Sequence, residues 1–226
     1  MCGRFSFSTS KKKIQEQFGA IEVEAPIQIS FNIAPTQLSY VLTNQSPNEL
    51  QLMNWGLVPH WSKDKKNAGR LINARMETIA MKPSFRTSFE RKRCLAVADS
   101  FYEWKRGAGN KFPYRILRTN RELLVMAGIW DTWTDGSEQY HSFSIITTPP
   151  NAEMARVHDR MPVIFYHTSQ YKEWLEETNI EKLQQMLISP PDGILEMYTV
   201  STDVNFVRNN GVHLHNKVIP PPTLFD

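Results

Sequence analysis

The chain has little cysteine, no long apolar run and no ligand-spaced histidines, and each shortage excludes a class of protein. Two cysteines in 226 residues, Cys2 and Cys94, cannot build a disulfide framework, so a reducing compartment is expected. Cys94 lies in the apolar run Cys94-Leu95-Ala96-Val97-Ala98 and reads as an inert core thiol. No apolar stretch approaches the roughly 20 residues that span a bilayer. Lys11-Lys12-Lys13 and Gln15-Glu16-Gln17 leave no signal-peptide apolar region near the start, and a cytoplasmic location is expected. The histidines other than His158 (His60, His141, His167, His213, His215) form no ligand-spaced set with the cysteines, so neither a zinc site nor another cofactor is expected. No internal repeat and no Pro/Gly-rich linker divides the chain, and 1–226 reads as one domain.

What is present is ordinary in amount and uneven in arrangement. Hydrophobic residues make up 41% and charged residues 22%, enough for a sizeable core. The net charge is only +3, yet His60 to Arg93 holds ten basic residues against three acidic ones, a net of +7. Tyr171 to Asp203 is acidic instead. Such asymmetry suggests a polyanion-facing side, against the plainer reading of a solvated lysine-rich surface.

Ser8-Thr9-Ser10 followed by Lys11 to Phe18 predicts a capped helix stopped by Gly19. Phe31 to Thr36 has no clear period and reads as a loop ending at Pro35. Leu38 to Leu42 and Leu50 to Val58 read as two paired strands across the Asn44–Asn48 turn cluster. His60 to Arg70 reads as an exposed loop carrying Trp61. Asn73 to Ala80 and Ser84 to Arg93 look like short helices broken at Pro83. Strand-like runs follow at Cys94–Ala98, Phe101–Lys105, Phe112–Leu117, Leu123–Trp130 and Ser142–Thr147, with a last one at Leu195–Val200. Ala152–Val157 reads as a helical turn or two, and Gln170–Glu177 and Glu181–Leu187 as surface helices. About nine short strands with interspersed helices predict an α+β fold on a largely antiparallel, barrel-like sheet.

The opening Met1-Cys2-Gly3-Arg4-Phe5 carries the most specific chemistry. With Met1 removed, Cys2 presents an α-amine and a thiol on adjacent carbons, with ordinary pKa values of about 8 and about 8.5. An amine there condenses with an aldehyde to a Schiff base, and the thiol closes onto it as a five-membered thiazolidine. The plain alternative is a small residue buried in a core.

Phe101-Tyr102-Glu103-Trp104 sets one carboxylate among three aromatics, where lost solvation suits it to proton shuttling; the alternative is an edge-strand glutamate in water. In His158-Asp159-Arg160 adjacent side chains are expected to diverge, so this is no triad, yet His158 remains a candidate acid or base. Asn73 between apolar residues suits hydrogen bonding to a substrate, or an N-cap. Trp61 beside a basic loop offers a face to an unpaired base, and Arg4, Arg75, Arg86 and Arg160 suit phosphates.

Together these stretches resemble the SRAP family, the SOS-response-associated peptidases understood as abasic-site processing proteins. The resemblance runs through Met1–Phe5, Phe31–Thr36, Trp55–Pro59, Ile72–Thr78, Lys82–Arg86, Ala98–Trp104, His158–Pro162 and Val204–Asn209, in order along nearly the whole chain. Ser100, where glycine is common, and a longer basic loop after Trp61 depart from the pattern. The resemblance implies a protector of abasic sites in single-stranded DNA that cross-links to the ring-opened aldehyde through Cys2, with strand cleavage as a side activity and limited thiol autopeptidase action that exposes Cys2. It implies that Asn73 holds the sugar, Glu103 shuttles protons and His158 protonates the sugar oxygen. Arg4, Asn32, Pro35, Trp61, Arg75, Arg86, Thr147, Arg160 and Arg208 would contact DNA. Single-stranded DNA with abasic sites is the implied partner, replication-fork proteins are candidate recruiters, and a monomer, nucleoid-associated when on DNA, is expected.

Two other classes compete. Glutamine amidotransferases also begin Met-Cys-Gly and use the thiol on an amide, but the chain lacks their Asn-Gly-Glu and Arg-Gly-Pro segments. A non-catalytic single-strand binder would make Cys2 structural.

Overall fold

Continuous apolar runs fill the middle of the chain, and they fold as strands buried on both faces. The computed structural model describes residues 2–23, 26–106 and 111–219. Along it run β1 (Arg4–Phe7), α1 (Lys11–Phe18), β2 (Glu22–Val23), β3 (Ser30–Ile33), β4 (Leu38–Thr43), β5 (Glu49–Trp55), β6 (Asn73–Arg75) and α2 (Arg86–Arg91). Then come β7 (Arg93–Ala98), β8 (Ser100–Arg106), β9 (Lys111–Arg118), β10 (Leu124–Thr134), β11 (Gln139–Thr148), β12 (Met161–Pro162) and β13 (Ile164–Phe165). The last elements are α3 (Thr168–Glu176), α4 (Ile180–Gln185) and β14 (Leu195–Thr199).

Five strands close a ring. β5 pairs β4, β4 pairs β7, β7 pairs β10 and β10 pairs β11, all antiparallel. A parallel pairing of β11 with β5, Ser142 opposite Asn54 and Phe143 opposite Trp55, joins the two ends. Closure removes the free edges that an open sheet would present. A second, wholly antiparallel sheet has the order β14-β9-β8-β1-β3. The fold is therefore α+β, largely antiparallel and barrel-like, with short helices at its margins. One hydrophobic core reaches from Cys2 through Phe5, Trp55, Phe101 and Trp174 to Leu195 and joins the two sheets. No helix among the described residues is long and apolar enough to cross a membrane.

The expected helix at Lys11–Phe18 is present. Ser10 Oγ accepts from the Lys13 amide at its start, and Gly19, at φ 79°, ends it. The Leu38 and Leu50 runs pair as predicted. Three expectations fail. Ser30–Ile33 is a strand, not a loop, because it pairs with β1 in a long-range ladder that no local period announces. Asn73–Arg75 is a strand rather than the start of a helix, held parallel to β11 with Asn73 opposite Ile145. Arg93, counted with the solvent-facing basic residues, is only 2% exposed. Its guanidinium donates to the carbonyls of Phe89, Glu90, Trp174, Leu175 and Glu177, tying the C-terminal ends of α2 and α3 to β7.

Gly56 sits where β5 leaves the ring, at φ 132° with its amide on the Phe143 carbonyl. A Cβ there would lie 2.4 Å from the Ala68 carbonyl oxygen, so both backbone and space demand glycine.

A smaller core of Tyr102, Val200, Val204 and Leu214, with Phe31, Trp104 and Tyr198 packed on it, closes the far side of β8. His215 meets Phe31 edge-on at 4.9 Å. Burial, aided by the charge of Arg115 and opposed by Asp99, lowers the His215 pKa from 6.5 to about 4. The fold thus holds the neutral ring while the unfolded chain regains its ordinary affinity for a proton. The contribution is complete above pH 6.5 and is lost as pH falls toward 4, by up to about 3 kcal/mol. Urea unfolding at pH 7 and at pH 4.5 should show that loss in the wild type and a flatter response in His215→Gln. Equal slopes in the two proteins would refute it.

Candidate active site

Cys2 lies just ahead of β1 and is fully buried, its thiol 3.9 Å from the Arg4 carbonyl. Burial drives the thiol pKa far up, and the nearby Glu103 carboxylate adds to the rise. The sulfur is therefore held as a thiol, contrary to the expectation of a group nucleophilic without tuning. Met1 lies outside the described residues, so nothing structural bears on its removal.

Three elements carry the residues that the sequence grouped with Cys2. β6 supplies Asn73, whose Nδ2 donates to the Cys2 carbonyl at 2.7 Å. Its Oδ1 is buried and has no hydrogen-bond partner among the described residues. The Ile72 carbonyl just before it accepts from Trp55 Nε1 and from the Ile145 amide, both at 3.0 Å, which fixes where the amide points.

β8 supplies Glu103, one step beyond the Arg4–Tyr102 pair of the β1–β8 ladder and opposite Tyr114 of β9. β8 is an interior strand and Glu103 is 3% exposed, so the edge-strand reading fails. Phe101 belongs to the main core, while Tyr102 and Trp104 belong to the smaller cluster.

The third element is the turn after Met154–Arg156, where the His158 amide donates to the Met154 carbonyl. His158 Nε2 stands 4.0 Å from Glu103 Oε2. Its Nδ1 is 2.8 Å from Asp159 Oδ1 and accepts from the Arg160 amide at 3.1 Å. The expectation that these neighbours could not orient the ring is thus wrong, because the chain turns here instead of extending. The Arg160 amide and Asp159 thus set the orientation of the ring, with Nε2 toward Glu103.

Glu103, Trp104, Lys111, His158 and Asn205 line an open pocket of about 400 Å³. Trp104 Nε1 donates to Asn205 Oδ1 at 2.7 Å. Lys111 and Asn205 escaped sequence reasoning. Asn205 stood within a recognised block but carried no reactive group, and nothing around Lys111 distinguished it from a surface lysine.

The other predicted contacts divide into exposed and internal sets. Trp61 is 56% exposed, and Arg75, Arg86 and Arg208 are exposed while Pro35 is half-buried. Asn32 and Thr147 are buried and engaged internally. Asn32 Nδ2 reaches the Val204, Phe206 and Asn209 carbonyls, and Thr147 Oγ1 accepts from Arg160 and reaches the Ala74 carbonyl. Arg4 is also buried, its Nη1 donating to Asn32 Oδ1 and the Val204 carbonyl, both at 2.7 Å. Arg160 forms a two-point ion pair with Glu77 and donates to the Thr147 carbonyl at 2.6 Å. The Arg160 hydrogen bonds hold the Glu77 carboxyl below its usual range.

Comparison with known proteins bears on the family and the fold. The family model described as SOS response associated peptidase (SRAP) matches residues 1–207. Abasic site processing protein YoaM of Bacillus subtilis is 40% identical over 221 residues, covering 95% of this chain and 97% of its own. Abasic site processing protein HMCES of Xenopus tropicalis is 31% identical and covers 81% of this chain and 64% of its own. A crystal structure of a protein from Bacteroides thetaiotaomicron superposes with a TM-score of 0.86 at 25% identity, over 96% of this chain and all of that one. From its first residues to the loop that walls the pocket, the chain belongs to the SOS response associated peptidase (SRAP) family.

Proposed function

We propose that this protein captures abasic sites in single-stranded DNA by forming a thiazolidine with Cys2 once Met1 has been removed. The observation that carries the reading is a chain of neighbours from three separate parts of the sequence: Asn73 on the Cys2 carbonyl, Glu103 close enough to act on the thiol, and His158 4.0 Å from Glu103. Relatives over nearly the same length are named abasic site processing proteins, which supports it.

The chemistry runs as follows. His158 protonates the ring oxygen of the abasic sugar as it opens to the aldehyde. The Cys2 α-amine adds to the aldehyde carbon, and loss of one water leaves the imine, with Glu103 relaying the protons. The thiol then adds across the C=N bond and its proton passes to nitrogen, so aldehyde and aminothiol give thiazolidine and water. Burial, with the Glu103 carboxylate adding to it, keeps the thiol protonated before reaction. A cationic iminium beside the sulfur offsets that carboxylate and favours thiolate at the moment of attack. The unpartnered Asn73 Oδ1 is placed to accept from a sugar hydroxyl or from the ring N–H. Elimination from the imine before ring closure accounts for strand cleavage as a minor outcome.

Exposed Arg75, Arg86 and Arg208 supply sequence-independent, salt-sensitive attraction to phosphates. A site without a base also enters the pocket with no unstacking cost. Incubation with a single-stranded oligonucleotide bearing one abasic site tests the proposal. Intact mass should show protein lacking Met1 joined to DNA with loss of one water, stable to denaturing electrophoresis. Absence of any adduct, or an adduct formed while Met1 remains, would sink it.

A further inference from the structure

The loop after the Thr202–Asn205 turn carries an aromatic side chain that the core does not use. Phe206 is 55% exposed. The backbone beneath it is nevertheless pinned: one amide, Asn32 Nδ2, donates to the carbonyls of Val204 at 3.3 Å, Phe206 at 3.1 Å and Asn209 at 2.8 Å. Arg4 adds a bond to Val204, and Asn209 Nδ2 donates to the Asp203 carbonyl at 3.0 Å. A large apolar ring is thus held in water on a rigid support. The Arg208 guanidinium lies 5.6 Å from the ring centroid. Asn205, one residue earlier, lines the pocket and accepts from Trp104, so Phe206 follows directly on the pocket wall in the chain.

We propose that Phe206, with Arg208 over its ring, is a stacking platform for the nucleobase beside the abasic position; this rests on the function proposed above. An abasic sugar leaves the neighbouring base without its stacking partner on one side, and a fixed ring at the pocket replaces it. Every base has a π-face, so the platform accepts any of them. The guanidinium strengthens the stack and meets the adjoining phosphate.

The test uses single-stranded oligonucleotides containing tetrahydrofuran, an abasic analogue with no aldehyde, so that only non-covalent affinity is read. One oligonucleotide has adenine on both sides of the tetrahydrofuran, and a second has further tetrahydrofuran residues there. Phe206→Ala should lose about tenfold in affinity on the first and less than about twofold on the second, while Phe206→Tyr keeps wild-type affinity on both. Unfolding midpoints of the variants confirm that the fold persists. Equal affinity of Phe206→Ala and wild type, or an equal loss on both oligonucleotides, would overturn the platform. Because the probe cannot react, a base-dependent loss upholds the platform even if wild type makes no adduct with aldehyde-bearing DNA. Adduct formation without a base-dependent loss would remove the platform alone.

Discussion

Cys2→Ala should reduce the denaturation-stable adduct with abasic single-stranded DNA by at least about 100-fold, because the bond that closes the ring needs sulfur. The α-amine survives in this variant, so a Schiff base still forms and then hydrolyses. Borohydride should trap it in Cys2→Ala and in Cys2→Ser alike, giving a reduced amine link and no thiazolidine. Trapping separates the two nucleophiles of one residue: the amine sets whether anything forms, the thiol whether it lasts. Cys2 is fully buried, so alanine leaves a void of one sulfur and costs about 1 kcal/mol, too little to unfold the chain. Unchanged cross-linking by Cys2→Ala would discard the thiazolidine, and failure to trap any imine in Cys2→Ser would discard amine attack.

Arg93→Met is expected to lower stability by about 3–5 kcal/mol in urea unfolding. The substitution keeps an apolar stem of similar reach but removes donors to five carbonyls at the ends of α2 and α3. The bonds to Phe89, Trp174 and Leu175 are buried, so water cannot readily replace the guanidinium there. Arg93→Lys should recover only part of the loss, since a single ammonium cannot reach all five. Exposed Arg91→Met, two residues away, should stay within about 0.5 kcal/mol of wild type. A loss under about 1 kcal/mol for Arg93→Met would show that the cap is not what holds α2 and α3 to β7.

Arg93 also marks where sequence reading stops. In a run of ten basic residues it looks like its neighbours, and only the packing of two helix ends against β7 makes it internal. Strands built from local apolar runs, such as Cys94–Ala98 and the Leu123–Trp130 run that forms most of β10, were legible because burial on both faces writes itself into composition. Ser30–Ile33 and Asn73–Arg75 were not, since each is a strand only by pairing with β1 or β11, and neither has a period of its own. The candidate residues Cys2, Asn73, Glu103 and His158 could be named through chemistry and resemblance. Its supports were not: the turn that brings Asp159 to His158, the clamp that Asn32 applies to the Val204–Asn209 loop, and Lys111 at the pocket wall all depend on tertiary geometry.

The hydrogen bond from Arg4 to the Val204 carbonyl joins residues 200 positions apart. It stands two residues from the nucleophile at one end and one residue from the pocket wall at the other. Making it closes a loop of 200 residues, a cost that grows only slowly with length. During synthesis Cys2 emerges well before Val204, so it exists for a time without that side of the pocket. A half-folded chain thus carries the cysteine without the loop that walls the pocket, and the two ends meet only when the Arg4–Val204 bond is made.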